Sequence, residues 1–434
     1  MLRKLRLQIA TLLAALLVTT GAAQTEIVWW HAMGGALGEK LVEIAEGFND
    51  SQDEFVVNPS YRGSYAETMT SAIAAFRSGE QPHIVQVFEV GTASMMAAEG
   101  AIYPVYQLME DFGTDWDQDA YLPAVVSYYV SDDGNLLSMP FNSSTPVLWY
   151  NQDALTDLGL DVPTTWQELE EAANMAVDNG WQCGMTSAWQ TWIQLETFSA
   201  WHDLPFATNN NGYAGLDTEM AIDNEHVINH VARLERMAQN NAFVYPGREG
   251  AGQPMFLNEE CVFWFNSSAG YGGIHTGANF EFGQTMLPLD TDIRDEPQNS
   301  IIGGATLWVL QGHDDAEYEG VARFFEYLSS PEVQADWHQF TGYVPITTAA
   351  YELSQEQGFY DANPGTDTAI RQLTLNEPTG NSRGIRLGNL VQIRDVMDEE
   401  LEAVWSGQKG AEQAVNDIVR RGNQLLRQFE SANQ

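Results

Sequence analysis

The chain has 434 residues, 44% of them hydrophobic, with 60 acidic against 19 basic residues and a formal charge of −41. That length supplies a large core and, on size, two or three domains, which favours a two-lobed protein. So acidic a chain is a poor partner for nucleic acid or for an anionic lipid surface.

At the N-terminus Arg3, Lys4 and Arg6 precede an apolar stretch, 7–18, too short to span a bilayer, and Gly21-Ala22-Ala23 fits a small-residue cleavage site. Residues 1–23 therefore read as a cleaved secretory signal peptide. They carry three basic and no acidic residues, so the mature charge is −44. No cysteine lies near the cleavage point, which argues against a lipid anchor and for a periplasmic protein in a two-membrane cell. The acid is spread through the chain rather than gathered in a tail, giving a solvated acidic surface. At about 1 M salt the Debye length is roughly 3 Å, so the self-repulsion would be screened, which suits a salt-loving source.

From residue 24 onward, apolar runs alternate with helical periods. A strand at 27–30 is followed by Leu37, Leu41, Ile44, Ala45 and Phe48 at helical spacing and by a second strand at 55–57, a βαβ unit. A helix over 65–76, closed by Ser78-Gly79, leads to a buried strand at 83–90. The alternation predicts an α/β fold with doubly wound, mostly parallel sheets. Next comes Phe141-Asn142-Ser143-Ser144-Thr145, a polar turn fused to an apolar run, 146–150, that crosses into another lobe. In that lobe Thr165 and Glu168 form a capping box for a helix ending near Asn179-Gly180. The only cysteines, Cys183 and Cys261, allow one disulfide in an oxidising compartment, and two buried thiols fit the count equally well. Two further turns, Ile301-Ile302-Gly303-Gly304-Ala305 and Thr341-Gly342-Tyr343-Val344-Pro345, resemble the first chemically. Each places hydroxyls or bare backbone N–H groups at a strand end, so convergence of the three would make a site for something small, polar and anionic. Ala411, Ala414, Val415, Ile418, Leu425, Leu426 and Phe429 mark one face of a long C-terminal helix.

Signals for catalysis are weak. His226 and His230 are spaced i, i+4, but Val227-Ile228-Asn229 lacks the glutamate of a zinc hydrolase. The glycines of 272–277 are followed by Ala278 where a phosphate-binding P-loop needs lysine. The run 290–296 opens like a calcium loop, but Arg294 puts a cation where an oxygen is needed, so it reads as a solvated acidic loop. Ser144, Ser267 and Ser268 lack a G-x-S-x-G elbow. No catalytic residue, metal ligand or cofactor is assigned. A secreted glycosidase or phosphodiesterase, built on opposed carboxylates or a metal, is the alternative from another class.

Longer motifs carry a resemblance: Trp30-His31, Ile73-Ala74-Ala75-Phe76-Arg77, Phe88-Glu89-Val90-Gly91-Thr92-Ala93, Trp192-Ile193-Gln194-Leu195-Glu196, Gln355-Glu356-Gln357-Gly358-Phe359-Tyr360, Arg386-Leu387-Gly388-Asn389 and Arg421-Gly422-Asn423-Gln424-Leu425-Leu426. Together they resemble the maltose-binding-like family of extracellular solute-binding proteins and, within it, the sn-glycerol-3-phosphate receptors of ABC importers. The resemblance implies a periplasmic-binding-protein fold: two α/β lobes, a hinge and an interlobe ligand cleft. Lobe one would take 24–141 and 305–332, and lobe two 142–304 and 333–434. It also implies a monomeric receptor, without enzymatic activity, that delivers sn-glycerol-3-phosphate to ABC permease subunits, with glycerophosphocholine or another glycerophosphodiester as the alternative ligand.

Carried over position by position, the ligand shell would be Tyr65, Glu89, Ser144, Ser267, Gly304, Tyr343 and Arg394, with Trp189 and Trp192 as an aromatic wall. The hydroxyls, the Gly304 N–H and Arg394 suit phosphate oxygens, whereas Glu89 suits glycerol hydroxyls at the opposite end. Singly, each has a bland reading: a packing tyrosine, a turn serine, a capping glutamate, or an Arg394–Asp398 pair along one helix. The chain departs from the family's pattern at the bulky Phe263-Trp264-Phe265 before Ser267 and over 376–383, which bears on the size of the pocket.

Overall fold

The computed structural model describes residues 24–98 and 100–434, so the expected signal peptide lies outside the described residues. Eleven strands are described: β1 Thr25–His31, β2 Phe55–Tyr61, β3 Ile84–Phe88, β4 Ile102–Tyr103, β5 Met139–Ser144, β6 Pro146–Asn151, β7 Cys183–Ser187, β8 Phe243–Val244, β9 Cys261–Ser267, β10 Phe282–Thr285 and β11 Gly303–Leu310. They form two sheets. The first runs β2-β1-β3-β11-β4 with β5 also on β11, and the second runs β10-β6-β9-β7-β8.

The α/β character expected from the alternation is present, but each sheet is mixed rather than mostly parallel. The β1–β2, β1–β3, β7–β8 and β7–β9 pairs are parallel. By contrast β11 lies antiparallel to β3, β4 and β5, and β6 lies antiparallel to β9 and β10. β5 and β11 are where the chain leaves the first sheet and re-enters it, and their pairing reverses direction.

Local sequence chemistry fixes the helices around this frame. The helix Tyr65–Ser78 starts at a capping box, Ser64 with Glu67, and stops at Gly79, whose φ of 73° lets its N–H reach the Ala75 and Phe76 carbonyls. Thr165 and Glu168 cap the helix Trp166–Asp178 in the same way. The helix Gly35–Ser51 buries Leu41, Ile44, Ala45 and Phe48, the stripe expected from spacing.

Each sheet has its own aromatic core. Trp29 packs against Phe141 and Phe324 under the first, while Trp166 stacks on Phe265 under the second. The helix Pro331–Thr341, expected with the second lobe, instead stacks Trp337 on Phe141 at 5.0 Å in the first core. Cys183 and Cys261, register partners on β7 and β9, form a disulfide, which decides between the two redox readings.

Only Thr145 separates β5 from β6, so one nearly continuous strand passes from sheet to sheet. Gln372 ties this crossing to its neighbour: its Nε2 donates to the Pro146 carbonyl at 2.7 Å, and its backbone carbonyl accepts from Ser300 N–H at 3.1 Å. No described helix is long and apolar enough to cross a membrane.

Candidate ligand-binding cleft

The three polar turns meet. Ser144 and Ser143 on β5 pair with Gly303 and Gly304 on β11, and the Val344 N–H donates to the Ser143 carbonyl at 2.8 Å. At this junction lies a cavity of about 790 Å³, and all nine residues singled out from the sequence line it.

From the first-sheet side, Tyr65 opens its helix and stacks on Phe88 at 5.4 Å, while its phenol oxygen accepts from Asn142 Nδ2 at 3.0 Å. Tyr343 lies flat on Trp337, with ring centroids 5.7 Å apart. Gly304 has φ +102°, and a Cβ there would run into the Asn142 carbonyl, so only glycine fits. The neighbouring Gly303 makes room for the Trp192 indole, whose Nε1 donates to the Ile302 carbonyl at 3.3 Å.

From the second-sheet side, Ser267 ends β9, and its Oγ accepts the Ala269 N–H at 3.0 Å, which leaves its own proton to donate. Trp189 holds a left-handed backbone, φ +44°, anchored by its N–H to the Glu249 carbonyl at 3.0 Å. An indole kept in that conformation marks a constrained wall of the cavity. Directly after it, Thr191–Thr197 forms a π-helix, the widened turn that often carries functional side chains. It presents both Trp192 and Glu196.

Glu196 is the residue sequence reasoning missed, and it changes the electrostatics. Arg394 donates from Nε and Nη2 to the two Glu196 oxygens, both at 2.7 Å, and from Nη2 to Glu89 Oε1 at 2.6 Å. Both carboxylates are buried, and Arg394 is largely so. Glu89 and Arg394 therefore share one wall instead of facing opposite ends of a ligand, because burial makes an uncompensated charge costly and draws the guanidinium to the carboxylates. Burial pushes the Glu89 carboxyl above its ordinary range, with Arg394 opposing the shift. Arg394 Nη1 makes no hydrogen bond among the described residues, so one nitrogen remains for a ligand. Asp398, proposed above as a helical partner of Arg394, instead accepts from Gln190 at 2.9 Å, and burial raises its carboxyl to about 6.

A family model described as bacterial extracellular solute-binding protein matches residues 43–367. The chain belongs to that family. Family members are receptors that bind solutes. This solute-binding protein is 48% identical, over 97% of both chains, to a protein of Salmonella typhimurium named as an sn-glycerol-3-phosphate-binding periplasmic protein. It is equally similar to the protein of that name from Escherichia coli, over 98% of both chains. Its fold matches the crystal structure of UgpB from Mycobacterium tuberculosis in complex with glycerophosphocholine, with a TM-score of 0.77, 18% identity and coverage of 94% and 99%. It also matches maltose-bound MalE3 of T. maritima, with a TM-score of 0.77, 18% identity and coverage of 92% and 100%. These matches establish the two-lobed periplasmic-binding-protein fold.

The other sequence candidates have structural roles in this solute-binding protein. His230 stacks on Phe198 at 3.8 Å with Nε2 against Gln194 Oε1, inside the second core. Asp290, expected in a solvated loop, is buried and takes a 2.7 Å ion pair from Arg233, because the loop folds inward against the helix that carries Arg233. The bulky Phe263, Trp264 and Phe265 are fully buried in the sheet core and do not line the cavity, so they leave its size untouched. The segment 376–383 does not line it either.

Proposed function

We propose that this solute-binding protein is a monomeric periplasmic receptor of an ABC importer that captures sn-glycerol-3-phosphate between its lobes and delivers it, unreacted, to the membrane permease. One observation carries the reading: nine residues gathered around both sheets line a single cavity in a chain 48% identical, nearly end to end, to sn-glycerol-3-phosphate-binding periplasmic proteins. The expected bounds of 141 and 305 would cut β5 and β11, which lie wholly in the first sheet, so the first lobe is taken as 24–144 with 303–332, extended by the helix Pro331–Thr341, and the second as the remainder.

The phosphate oxygens accept from Tyr65, Ser144, Ser267 and Tyr343, from the Gly304 N–H and from Arg394 Nη1. Each such bond to a charged group contributes about 1.5–3 kcal/mol. Glycerol hydroxyls donate to Glu89, which Arg394 helps keep ionised, and the tryptophans cover the carbon skeleton. Closure brings donors of the second lobe onto ligand already held by the first, and so stabilises the closed form.

Titration calorimetry of ligand-stripped mature protein at high salt, with sn-glycerol-3-phosphate and glycerophosphocholine in parallel, tests this. One-to-one binding of the monoester with recovery of intact ligand is expected. Turnover would establish an enzyme, and no binding to either would reject both ligands. A second reading, glycerophosphocholine, is favoured by the two carboxylates set against one guanidinium near Trp189 and Trp192, an environment that attracts a quaternary ammonium.

A further inference from the structure

Behind Tyr65 lies a chain of hydrogen bonds whose direction cannot reverse. It begins at the Ala32 backbone N–H, which can only donate and does so to Gln86 Oε1 at 2.8 Å. That contact turns the Gln86 amide nitrogen toward Asn142, where it donates to Oδ1 at 2.8 Å. Asn142 in turn has its nitrogen toward the cavity and donates to the Tyr65 oxygen at 3.0 Å. Gln86 and Asn142 are both fully buried, so no water competes for either amide. Flipping Asn142 would set its NH₂ against the NH₂ of Gln86, and flipping Gln86 would set its NH₂ against the Ala32 N–H. Either change leaves buried donors without acceptors.

We infer that Gln86 and Asn142 are positioning residues that fix the Tyr65 hydroxyl as a hydrogen-bond donor into the cleft, which selects a ligand oxygen that accepts. Tyr65 takes a bond from Asn142 and lies beside the Tyr343 hydroxyl, which lines the same cavity, so its proton points away from Asn142, either to the ligand or to Tyr343, which then donates to the ligand in its place. Burial raises the phenol pKa well above its ordinary value, which keeps that proton in place at neutral pH. This inference rests on the proposed binding of a phosphate ester: phosphoryl oxygens accept and, when ionised, do not donate. Two residues that touch no ligand thereby set the polarity of one that does. Sequence alone gives no sign of this, because Gln86 sits inside an apolar strand and reads as a core position.

A double-mutant cycle separates this role from simple packing. In Asn142→Asp the carboxylate accepts, so Tyr65 turns its proton inward. The loss of affinity for sn-glycerol-3-phosphate is expected to be at least about tenfold larger in the parent than in a Tyr65→Phe background, the energy of one charged hydrogen bond. Equal losses in both backgrounds would overturn the inference, since the added charge acts in each. Neutron diffraction from the deuterated, ligand-free parent protein provides an independent test that holds even if the variant fails to fold or the ligand is a different one. A Tyr65 deuteron aimed into the cavity or at the Tyr343 oxygen is expected, and one aimed at Asn142 would overturn the inference.

Discussion

Removing the Arg394 guanidinium would leave Glu89 and Glu196 buried with no counter-charge. Breaking such a pair by deleting one partner costs about 3–5 kcal/mol, so Arg394→Ala is expected to lower stability to urea by that order as well as to weaken ligand binding tenfold or more. Unchanged stability would mean that the carboxylates are relieved in another way. Lysine at that position restores the charge but cannot reproduce the forked contact to Glu196. At this scale much of the cavity lining was legible: Ser144, Gly304 and Tyr343 sit in turns whose chemistry is visible in the sequence, whereas Tyr65 came only through the family resemblance. Glu196 was not, although it closes the motif that contains Trp192. Nothing distinguishes one of 60 acids until the fold brings Arg394, 198 residues away, onto it.

Helices with capping boxes were readable because their signals are local, as at Ser64–Glu67 and Thr165–Glu168. The π-helix Thr191–Thr197 was not, since its apolar residues also suit an ordinary helix. Nor was the direction of β11, which depends on a return from the other lobe. The disulfide belongs to this scale as well. It joins β7 to β9 across 78 residues, and a closed loop of that size typically adds about 2–4 kcal/mol. Replacing Cys183 and Cys261 by serine is expected to lower the calorimetric melting temperature while leaving ligand affinity unchanged, because neither cysteine lines the cavity. An equal melting temperature would remove the disulfide from the stability account.

For the whole molecule, acid and salt are the informative variables. His202 and His338 are buried and held neutral, with pKa values lowered to about 4 by desolvation. The unfolded chain protonates them near 6.5, so between pH 6.5 and 4 the unfolded state takes up protons that the folded state refuses. Stability should therefore fall as pH drops through that window, by up to about 3 kcal/mol per histidine. Glu89, shifted upward, acts in the opposite sense: its protonated form favours the folded state, so its contribution is lost as pH rises. Urea unfolding across this range in His202→Gln should show a shallower slope, and an unchanged slope would exclude His202. With 60 acids against 19 bases, the melting temperature should also fall on dilution from molar salt, and indifference to salt would argue against a salt-adapted surface.

The passage of one strand from sheet to sheet through Thr145 has a mechanical consequence. If the lobes rotate about this crossing, Ser144, Gly304 and Ser267, the last in register with Pro146, sit close to the pivot and travel little, whereas Trp189 lies on the moving arm. Ligand contacts at the pivot are then equally good in the open and closed forms and add grip without driving motion. Contacts on the arm exist only once it has swung. Ser144→Ala should thus weaken capture while the saturated protein keeps the same compactness in small-angle scattering. Trp189→Ala should leave a larger share of saturated molecules open, so that the permease meets loaded receptors that do not signal.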